Sequence, residues 1–267
     1  MTASQEHLSV CICTYRRPEW LRRLLDSLQS QRTDGLFAYS IVVADNDVTE
    51  SARPVVEAVA KTSTVPVTYC VEPTKNIAMV RNKTIEAARG NWIAFIDDDE
   101  FPITEWLLLL FRACQAHGAQ GVLGPVRSHY ETPPPAWVPK CGLFDRPEYP
   151  TGYVLSWGES RTGNVLFRRE ILPADGPAFD PAFHNGGEDQ VFFRRMMAQG
   201  HRFIWCNEAI AYETVPPIRW DRKILMQRAL LRGQNSYRQS KGFRRGMVKS
   251  FVAVPLYLLI LPVLYLI

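Results

Sequence analysis

The amino-acid sequence predicts an α/β protein built on a doubly wound, mostly parallel sheet. Short apolar runs typical of buried strands alternate with segments whose apolar residues recur at helical spacing. Polar residues follow these runs directly. Alternating strands and helices favour parallel strands, and ligands bind beyond the carboxyl ends of such strands. The pattern therefore predicts one binding crevice lined by these polar residues.

Three strand and helix units precede a fourth strand in the first hundred residues. Pro18 is expected to open the first helix, because proline fits the first helical turn, and Gly90 is expected to end the third. The predicted strands are 8–14, 39–44, 65–71 and 92–96. The predicted helices between them are 18–28, 51–60 and 76–89.

The pattern becomes less regular after residue 100. A segment with six prolines, 131–150, is predicted to be a long ordered loop over the crevice. The other elements predicted in this part are a helix over 104–117, strands over 121–130, 153–157 and 164–167, and a helix over 187–199.

Four consecutive acids, Asp97 to Glu100, follow the fourth predicted strand. If the backbone stays extended, Asp97 and Asp99 point to one side and Asp98 to the other. Two carboxylates on one side suit Mg²⁺ or Mn²⁺, which take further ligands from substrate phosphates and water. An acidic run is more often a solvated loop, but the buried strand before this one and the repulsion among its carboxylates favour a cation site.

A second acidic pair, Glu188 and Asp189, follows Gly186 and Gly187 at the start of the last predicted helix. A carboxylate in the first turn of a helix is often only a partner of the helix dipole. Two glycines directly before the pair let the backbone approach a ligand closely. The combination therefore favours a functional site.

Sequence motifs of other nucleotide-binding classes are missing. No glycine-lysine phosphate loop and no GxGxxG pattern follows a predicted strand, which disfavours nucleoside triphosphatases and dehydrogenases. The six cysteines are scattered, without zinc or thioredoxin spacing. Free thiols and the lack of an apolar amino-terminal signal segment predict a reducing, cytosolic environment for the body of the protein.

Five sequence motifs occur in order along the chain. They are SVCICTYRRP at 9–18, VVADN at 42–46, KNIAMVRN at 75–82, IDDDE at 96–100 and GGED at 186–189. Together they resemble the family 2 (GT-A fold) inverting glycosyltransferases, over residues 8–232. The chain looks closest to bacterial transferases of exopolysaccharide or lipopolysaccharide synthesis, such as those of succinoglycan. The resemblance implies a GT-A sheet with a Rossmann-like nucleotide half and an acceptor half.

The resemblance also implies roles for individual residues and favours a UDP-linked donor. Asp97 and Asp99 match an Asp-x-Asp motif whose Mn²⁺ or Mg²⁺ ion bridges the diphosphate of a nucleotide sugar, and Asp189 matches the catalytic base. The implied substrate-binding residues are Thr14, Arg16 and Asp45 at the base and ribose, Arg81 near the nucleotide, and Asn76, Asp98 and Glu188 in the same motifs.

The sequence departs from the family pattern at one position. Many relatives carry a histidine after the base as a third metal ligand, whereas the corresponding stretch here is AYET at 211–214. Glu213 could supply that ligand, or the metal could depend on the Asp-x-Asp pair alone. Both possibilities stay open at this stage.

The carboxyl-terminal part of the sequence differs in charge from the rest. Residues 1–218 hold 21 Lys and Arg against 26 Asp and Glu, whereas 219–250 hold ten against one, and 251–267 carry no charge. The sequence therefore predicts a catalytic domain over 1–218 and a basic amphipathic membrane-proximal segment over 219–250 that begins with a helix over 219–232. An apolar membrane-associated or transmembrane segment is predicted over 251–267.

Membrane lipid is the predicted partner of the basic segment. Its positive charges lie next to an apolar stretch, as in segments that bind anionic lipid. They do not alternate with exposed aromatic residues, on which the bases of a nucleic acid would stack. Basic residues directly before an apolar segment favour the cytoplasmic side. The predicted location is therefore the cytoplasmic face of the bacterial inner membrane, with inner-membrane lipid and no nucleic acid as partners.

The predicted function is metal-dependent, inverting transfer of a hexose-type sugar from a nucleotide sugar to a saccharide or lipid-linked acceptor in cell-surface polysaccharide synthesis. One alternative, a metal-dependent nucleotidyltransferase, usually carries a glycine-rich loop near the first strand, where this chain has TYRRP at 14–18. Another, a non-catalytic nucleotide-sugar-binding membrane protein, could dispense with Asp97, Asp99 and Asp189, and all three are present.

Overall fold

The computed structural model describes residues 6–183, 186–227, 230 and 255. This part of the chain holds a seven-stranded sheet and a three-stranded sheet. The strands are β1 Glu6–Thr14, β2 Phe37–Asp45, β3 Val67–Val71, β4 Trp92–Phe95, β5 Glu100–Pro102, β6 Gly121–Leu123, β7 Val126–His129, β8 Val165–Arg168, β9 Phe203–Trp205 and β10 Ala211–Thr214. The helices are α1 Pro18–Leu28, α2 Arg53–Thr62, α3 Ile77–Ala87, α4 Trp106–Ala116, α5 Trp137–Lys140 and α6 Glu188–Ala198.

The large sheet has the strand order β3-β2-β1-β4-β8-β6-β9. Its first four strands are parallel, with β1 between β2 and β4. Strand β8 runs antiparallel to both β4 and β6, and β9 lies parallel to β6. The small sheet has the order β5-β10-β7, and its strand β5 begins at Glu100, the last residue of the acidic run. The predicted α/β class with a mostly parallel sheet is confirmed.

Two separate apolar cores cover the two faces of the large sheet. Alternate residues of β1 face opposite sides, so that Val10 and Ile12 pack in one core and Cys11 packs in the other. The first core includes α1, α2 and α4, and the second includes α3 and α6. Helix α1 begins at Pro18 as predicted, and its four leucines at helical spacing are all buried.

Two predicted strands are wrong. The strand predicted over 121–130 is divided into β6 and β7, which lie in different sheets on either side of Gly124 and Pro125. Proline cannot donate to a strand ladder, so the pairing changes at this point. In the strand predicted over 153–157, Val154 forms only an isolated bridge, and a capping box between Ser156 and Glu159 folds the following residues into a short 3₁₀ turn.

Gly90 has a different role from the one expected. Helix α3 ends at Ala87, and the cap position is taken by Ala88 in an extended conformation. A Cβ atom on Gly90 would lie 2.5 Å from the carbonyl oxygen of His7. Glycine is therefore needed here because the backbone passes close to β1, and not because it stops a helix.

The structure describes only the start of the predicted carboxyl-terminal elements. Residues 222–227 are helical, and the carboxylate of Asp221 caps them by accepting from the amides of Lys223 and Ile224. The remainder of the basic segment predicted over 219–250, and the apolar segment predicted over 251–267, lie outside the described residues apart from 230 and 255. Among the described residues, no helix has both the length and the apolar character that crossing a membrane requires.

Candidate active site

The acids after β4 lie in a turn and not on an extended strand. Strand β4 ends at Phe95, and the amide of Glu100 donates to the carbonyl oxygen of Asp97 over 3.0 Å. The expected alternation of side chains is therefore wrong. The Asp97 side chain is 47% exposed, whereas Asp98 and Asp99 are buried and share a partner: Arg17 Nη1 lies 2.9 Å from Asp98 Oδ1 and 3.3 Å from Asp99 Oδ2.

Asp98 is held by the end of the first strand. The hydroxyl of Thr14 donates to Asp98 Oδ2 over 2.8 Å, and Thr14 is the last residue of β1. Burial raises the pKa of Asp98, while the charge of Arg17 and the Thr14 hydrogen bond oppose that rise. The carboxyl ends of β1 and β4 therefore meet, as expected for neighbouring parallel strands.

Asp99 binds a second cation from a distant part of the chain. Arg219 Nη2 donates to Asp99 Oδ2 over 2.5 Å, and Arg219 also pairs with Glu213. Burial, followed by the charge of Asp97, raises the pKa of Asp99 to about 6 although Arg219 opposes this. An additional cation at this position would stabilise the ionised carboxylates.

Glu100 completes the acidic cluster and has one oxygen without a hydrogen bond from the described residues. Its Oε1 is buried and accepts no hydrogen bond from the described residues. Burial, followed by the charge of Asp97, raises the pKa of Glu100 well above its usual value. A Cβ atom on Gly163 would lie 2.8 Å from Glu100 Oε1 and 3.2 Å from Asp97 Oδ2, so both carboxylates border a space that the glycine leaves open.

A row of alternating charges connects Glu100 to Arg219. Arg146, from the proline-rich loop, pairs with Glu213, and its Nη1 lies 3.9 Å from Glu100 Oε1. Glu213 lies opposite Glu100 in the register of β10 and β5 and also pairs with Arg219. The loop over 131–150 therefore contributes a side chain to the crevice, and Glu213 is engaged by two arginines.

Arg81 connects the acidic cluster to helix α6. Its guanidinium pairs with Glu188, and its Nη2 lies 3.8 Å from Asp97 Oδ1. Arg81 and Glu188 are both buried, and Glu188 Oε2 has no partner among the described residues. Asp189 is partly buried and accepts from the amide of Gln190 over 2.7 Å. The structure thus brings Asp97 and the first turn of α6 to one crevice.

The paired glycines fix the entry into α6. Gly187 is the N-cap residue and has a φ of 94°, in the left-handed region that favours glycine. The helix then begins with Glu188, so that Asp189 lies in the first turn. A carboxylate in the first turn interacts favourably with the positive end of the helix dipole.

The carboxylate of Asp45, at the end of β2, is hydrogen-bonded to other groups of the protein. Oδ1 accepts from the amide of Asp47 over 2.9 Å, and Oδ2 accepts from the amide of Ala52 over 2.8 Å and the hydroxyl of Tyr69 over 3.0 Å. Asp47 is the residue that binds Arg16, with 3.0 Å between Asp47 Oδ2 and Arg16 Nε. Asp45 therefore shapes the end of the strand, whereas the Arg16 side chain is 58% exposed.

Asn76 is the N-cap residue of α3. Its Oδ1 accepts from the amides of Ala78 and Met79, and its Nδ2 donates to the carbonyl oxygen of Pro181 over 2.9 Å. The side chain therefore starts the helix that carries Arg81 and links it to the segment before α6.

An exposed aromatic surface lies beside α6. Trp157 is 45% exposed, and the guanidinium of Arg194, on α6, lies 5.9 Å from the centre of its ring. Tyr149 and Tyr153 stack with their ring centres 4.6 Å apart. Exposed aromatic rings next to a crevice are suitable contacts for the apolar faces of sugars.

The acidic cluster consists of the hard oxygen ligands that Mg²⁺ and Mn²⁺ bind. Within the described residues, no set of three or more His, Cys, Asp or Glu side chains is arranged to hold a metal ion. Magnesium sites that also bind substrate phosphates commonly use one or two carboxylates. Glu100 Oε1, which accepts no hydrogen bond from the described residues, and Asp97 Oδ2 both border the space left by Gly163. These two oxygens fit a cation at this point.

Four residues of the crevice escaped the sequence analysis, namely Arg17, Asp47, Arg146 and Arg219. Arg17 follows the predicted site residue Arg16, and Asp47 lies two residues after the predicted site residue Asp45. This closeness in the sequence was the signal that could have identified them. Arg146 and Arg219 gave no local signal, because each meets its carboxylates through contacts between distant segments.

Comparison with known proteins identifies similar sequences. The profile of "Glycosyl transferase family 2" matches residues 9–173. "Succinoglycan biosynthesis protein ExoM" of Rhizobium meliloti (strain 1021) is 36% identical over 232 residues, which cover 85% of this chain and 73% of that protein. "Chondroitin synthase" of Escherichia coli is 24% identical over 243 residues, which cover 79% of this chain and 35% of that protein.

Solved structures share the fold at lower identity. TarS 1-349 of S. aureus in complex with UDP is 20% identical with a TM-score of 0.59, and the match covers 79% of this chain and 61% of that one. Mannosyltransferase PcManGT from Pyrobaculum calidifontis, in complex with GDP-Man and Mn²⁺, is 18% identical with a TM-score of 0.62, covering 89% of this chain and 66% of that one. These similarities support a GT-A-type fold.

Proposed function

Because the chain belongs to glycosyl transferase family 2, we propose that it moves a sugar, with inversion, from a nucleotide sugar to a saccharide or lipid-linked acceptor. The proposed donor is UDP-linked and the proposed cofactor is Mn²⁺ or Mg²⁺. UDP in the TarS complex supports the choice of donor. The PcManGT complex supports a nucleotide sugar in general, through GDP-Man, and the choice of cofactor, through Mn²⁺. The name of ExoM supports a role in cell-surface polysaccharide synthesis.

The position of Arg81 between the two acidic sites is the observation that carries the proposal. Arg81 pairs with Glu188 and approaches Asp97, so one guanidinium joins the acidic cluster to the first turn of α6. Inverting transfer needs a cationic site for the leaving diphosphate and a base near the acceptor, on opposite sides of the same sugar carbon. Groups placed in this way orient the two reactants for attack.

The acidic cluster would bind the diphosphate end of the donor. Asp97 and Asp99 would hold the divalent ion, which when bound supplies positive charge for the departing nucleoside diphosphate. Thr14 and Arg17 keep Asp98 in place. Arg17 and Arg219 both contact Asp99 and add positive charge next to the same position.

Asp189 would act as the base. It would accept the proton of the acceptor hydroxyl while that oxygen attacks the anomeric carbon from the face opposite the diphosphate, so that the product is inverted. The pair of Arg81 and Glu188 fixes the turn that carries Asp189. Asp189 lies in the first turn of α6, where a carboxylate interacts favourably with the helix dipole.

The proposed location is the cytoplasmic face of the bacterial inner membrane, where a lipid-linked acceptor is presented. Ten Lys and Arg against one acid in 219–250, followed by the uncharged 251–267, support binding to an anionic leaflet. Ile218 and Met226, at 64% and 61% exposure, add apolar surface where this region begins. Recovery of the full chain in the soluble fraction without detergent would contradict this location.

A donor screen tests the proposed function. Purified full-length protein in detergent is incubated with Mn²⁺ or Mg²⁺ and a panel of nucleotide sugars, and binding and donor hydrolysis are measured with and without chelator. We expect metal-dependent recognition of one nucleotide sugar, and its loss in Asp99→Ala. Binding of a nucleoside triphosphate without binding of any nucleotide sugar would instead support a nucleotidyltransferase and remove the role of Asp189.

A further inference from the structure

Arg161 is a charged residue that the proposed transfer reaction leaves without a role. It lies between the Trp157–Glu159 turn and β8, and it is partly buried. Arg81, Arg146 and Arg219 in the same crevice each pair with a carboxylate. Among the residues that the structure describes, Arg161 makes neither a hydrogen bond nor an ion pair.

The charge of Arg161 is unfavourable in this environment. A guanidinium keeps its proton at any working pH, and moving it out of water without a counter-ion costs free energy. Burial, followed by the positive charge of Arg146, lowers the pKa of Arg161. Glu100 and Glu213 oppose this effect without pairing directly with the side chain. An arginine with these neighbours would be stabilised by a further anion.

The backbone around Arg161 is firmly held. Its neighbours Ser160 and Thr162 are 5% and 2% exposed, and the hydroxyl of Ser160 donates to the carbonyl oxygen of Ser156 over 2.9 Å. Asn164 is fully buried and bonds to Trp106 and to the backbone of two other segments. The loop therefore holds the backbone at Arg161 in place, so that binding a ligand there costs no ordering of the backbone.

The position of Arg161 connects two parts of the crevice. Two residues further along the chain, Gly163 borders the carboxylates of Glu100 and Asp97. Four residues earlier, Trp157 contacts Arg194 of α6, the helix that carries Asp189. Along the chain, Arg161 therefore lies between the residue that borders the acidic cluster and the exposed ring that contacts the helix of the proposed base.

We propose that Arg161 binds a phosphate or diphosphate group of a substrate, with Arg146 as a neighbouring positive charge. The proposal rests on the proposed function, in which the nucleotide sugar and a lipid-linked acceptor both carry such a group. A guanidinium offers a planar pair of N–H donors that matches two phosphate oxygens. The bound oxyanion supplies the counter-charge that Arg161 lacks among the described residues.

Inorganic pyrophosphate is the probe that tests this site. Its binding to the full-length protein in detergent is measured by calorimetry for the wild type, Arg161→Gln and Arg161→Lys. Charge-assisted hydrogen bonds of this strength predict a loss of about tenfold or more in Arg161→Gln. The pyrophosphate affinity of Arg161→Lys should lie between those of the wild type and Arg161→Gln, because lysine keeps the charge and loses the planar pair of donors.

Arg112→Gln is the matched control, since Arg112 is an exposed arginine that pairs with Asp34. Pyrophosphate affinity equal to the wild type in Arg161→Gln, or an equal loss in Arg112→Gln, would overturn the proposal. So would a marked fall in the melting temperature of Arg161→Gln, because an arginine held for a ligand should not be needed for folding.

Repeating the titration with saturating UDP and Mg²⁺ identifies the source of the group. Pyrophosphate binding that persists beside UDP and depends on Arg161 assigns the site to an acceptor phosphate. Complete displacement by UDP, with equally weakened UDP binding in Arg161→Gln, assigns it to the donor diphosphate. Nucleotide-sugar binding, measured on the same samples, reports separately on the proposed function.

Discussion

The two halves of the crevice hold their polar side chains in different ways. In the half around β2 and α3, called the nucleotide half after its proposed role, the carboxylate of Asp45 and the amide oxygen of Asn76 each accept from two backbone amides close to them in the chain. More distant partners, Tyr69 for Asp45 and Pro181 for Asn76, add to these bonds. In the acidic half, Asp99 and Glu213 bond to long side chains from distant segments. A backbone partner cannot leave without local unfolding, whereas an arginine can exchange one anion for another. The first half therefore provides shape, and the second half can rearrange its ion pairs when a ligand binds.

The largest expected effect is the loss of turnover in Asp189→Asn. Loss of a general base should reduce turnover by about 10²–10⁴-fold, because the amide cannot accept the acceptor proton. UDP affinity, measured by calorimetry, should stay at the wild-type value. Asp26→Asn makes the same chemical change at an exposed helical position and should leave turnover intact. Turnover in Asp189→Asn above a tenth of the wild-type rate would remove Asp189 from its proposed role.

Asp45→Ala tests whether the nucleotide half is a rigid frame. The substitution leaves the buried amides of Asp47 and Ala52 without an acceptor, which should lower the free energy of unfolding by about 3 kcal/mol. Urea denaturation measures the change. Asp26→Ala, which breaks an exposed pair with Arg22, should cost less than about 1 kcal/mol. Wild-type stability with lost UDP binding would show that Asp45 serves the ligand and not the frame.

The acidic half should make the metal-free protein more stable at pH 5 than at pH 7.5. The pKa of Asp99 is raised from 3.8 to about 6 in the folded chain, so the folded state holds this proton more tightly than the unfolded state. The resulting stabilisation is complete below the unfolded value and is lost as the pH rises through about 6. A shift of this size corresponds to about 1–3 kcal/mol. Thermal melts in EDTA across this pH range measure it.

Two further melts distinguish Asp99 from the rest of the protein. Asp99→Asn should flatten the dependence on pH, because the amide does not titrate. Mn²⁺ should raise the melting temperature more at pH 7.5 than at pH 5, since the ionised carboxylates bind it. A melting temperature in EDTA that climbs steadily from pH 5 to pH 7.5 would contradict the expected sign.

The smallest expected effect is that of Gly163→Ala on metal affinity. The added methyl group would lie 2.8 Å from Glu100 Oε1 and 3.2 Å from Asp97 Oδ2, so it would occupy the space between them. Because Glu100 Oε1 is the far end of a long side chain, the crowding should cost only about 1 kcal/mol, the low end of the usual range. It should weaken Mn²⁺ binding, measured by electron paramagnetic resonance. Gly158→Ala is the matched control in the same region, because its Cβ atom would meet nothing within 4 Å. Equal affinities in the two variants would remove this space from the metal site.

The parallel half of the fold was predictable because its signals are local. Pro18 opens α1, Asn76 caps α3, and β-branched runs form β1 to β4 near the expected bounds. The acids at the end of β4 were found for the same reason, since they stand together in the sequence. Their orientation was not found, because a turn after Phe95 replaces the extended backbone on which the expected alternation depended.

The other half was less predictable because long-range contacts define it. Strands β5, β6 and β9 have three residues each, and β10 joins two segments that lie more than eighty residues before it. Patterns this short carry no reliable period. The ion pairs of this half were also unpredictable. The bond between Arg219 and Asp99 joins residues 120 positions apart, and no spacing rule relates them.

The contact between Arg219 and Asp99 also decides where the protein can be shortened. Charge counting puts a boundary after residue 218, and a fragment that ends there would appear to keep the whole acidic body. It would lose the guanidinium that binds both Asp99 and Glu213. It would also lose Trp220, whose ring packs 5.7 Å from that of Tyr130. A soluble fragment designed for crystallisation should therefore extend at least through residue 227, so that the crevice keeps the counter-ion with which it folds.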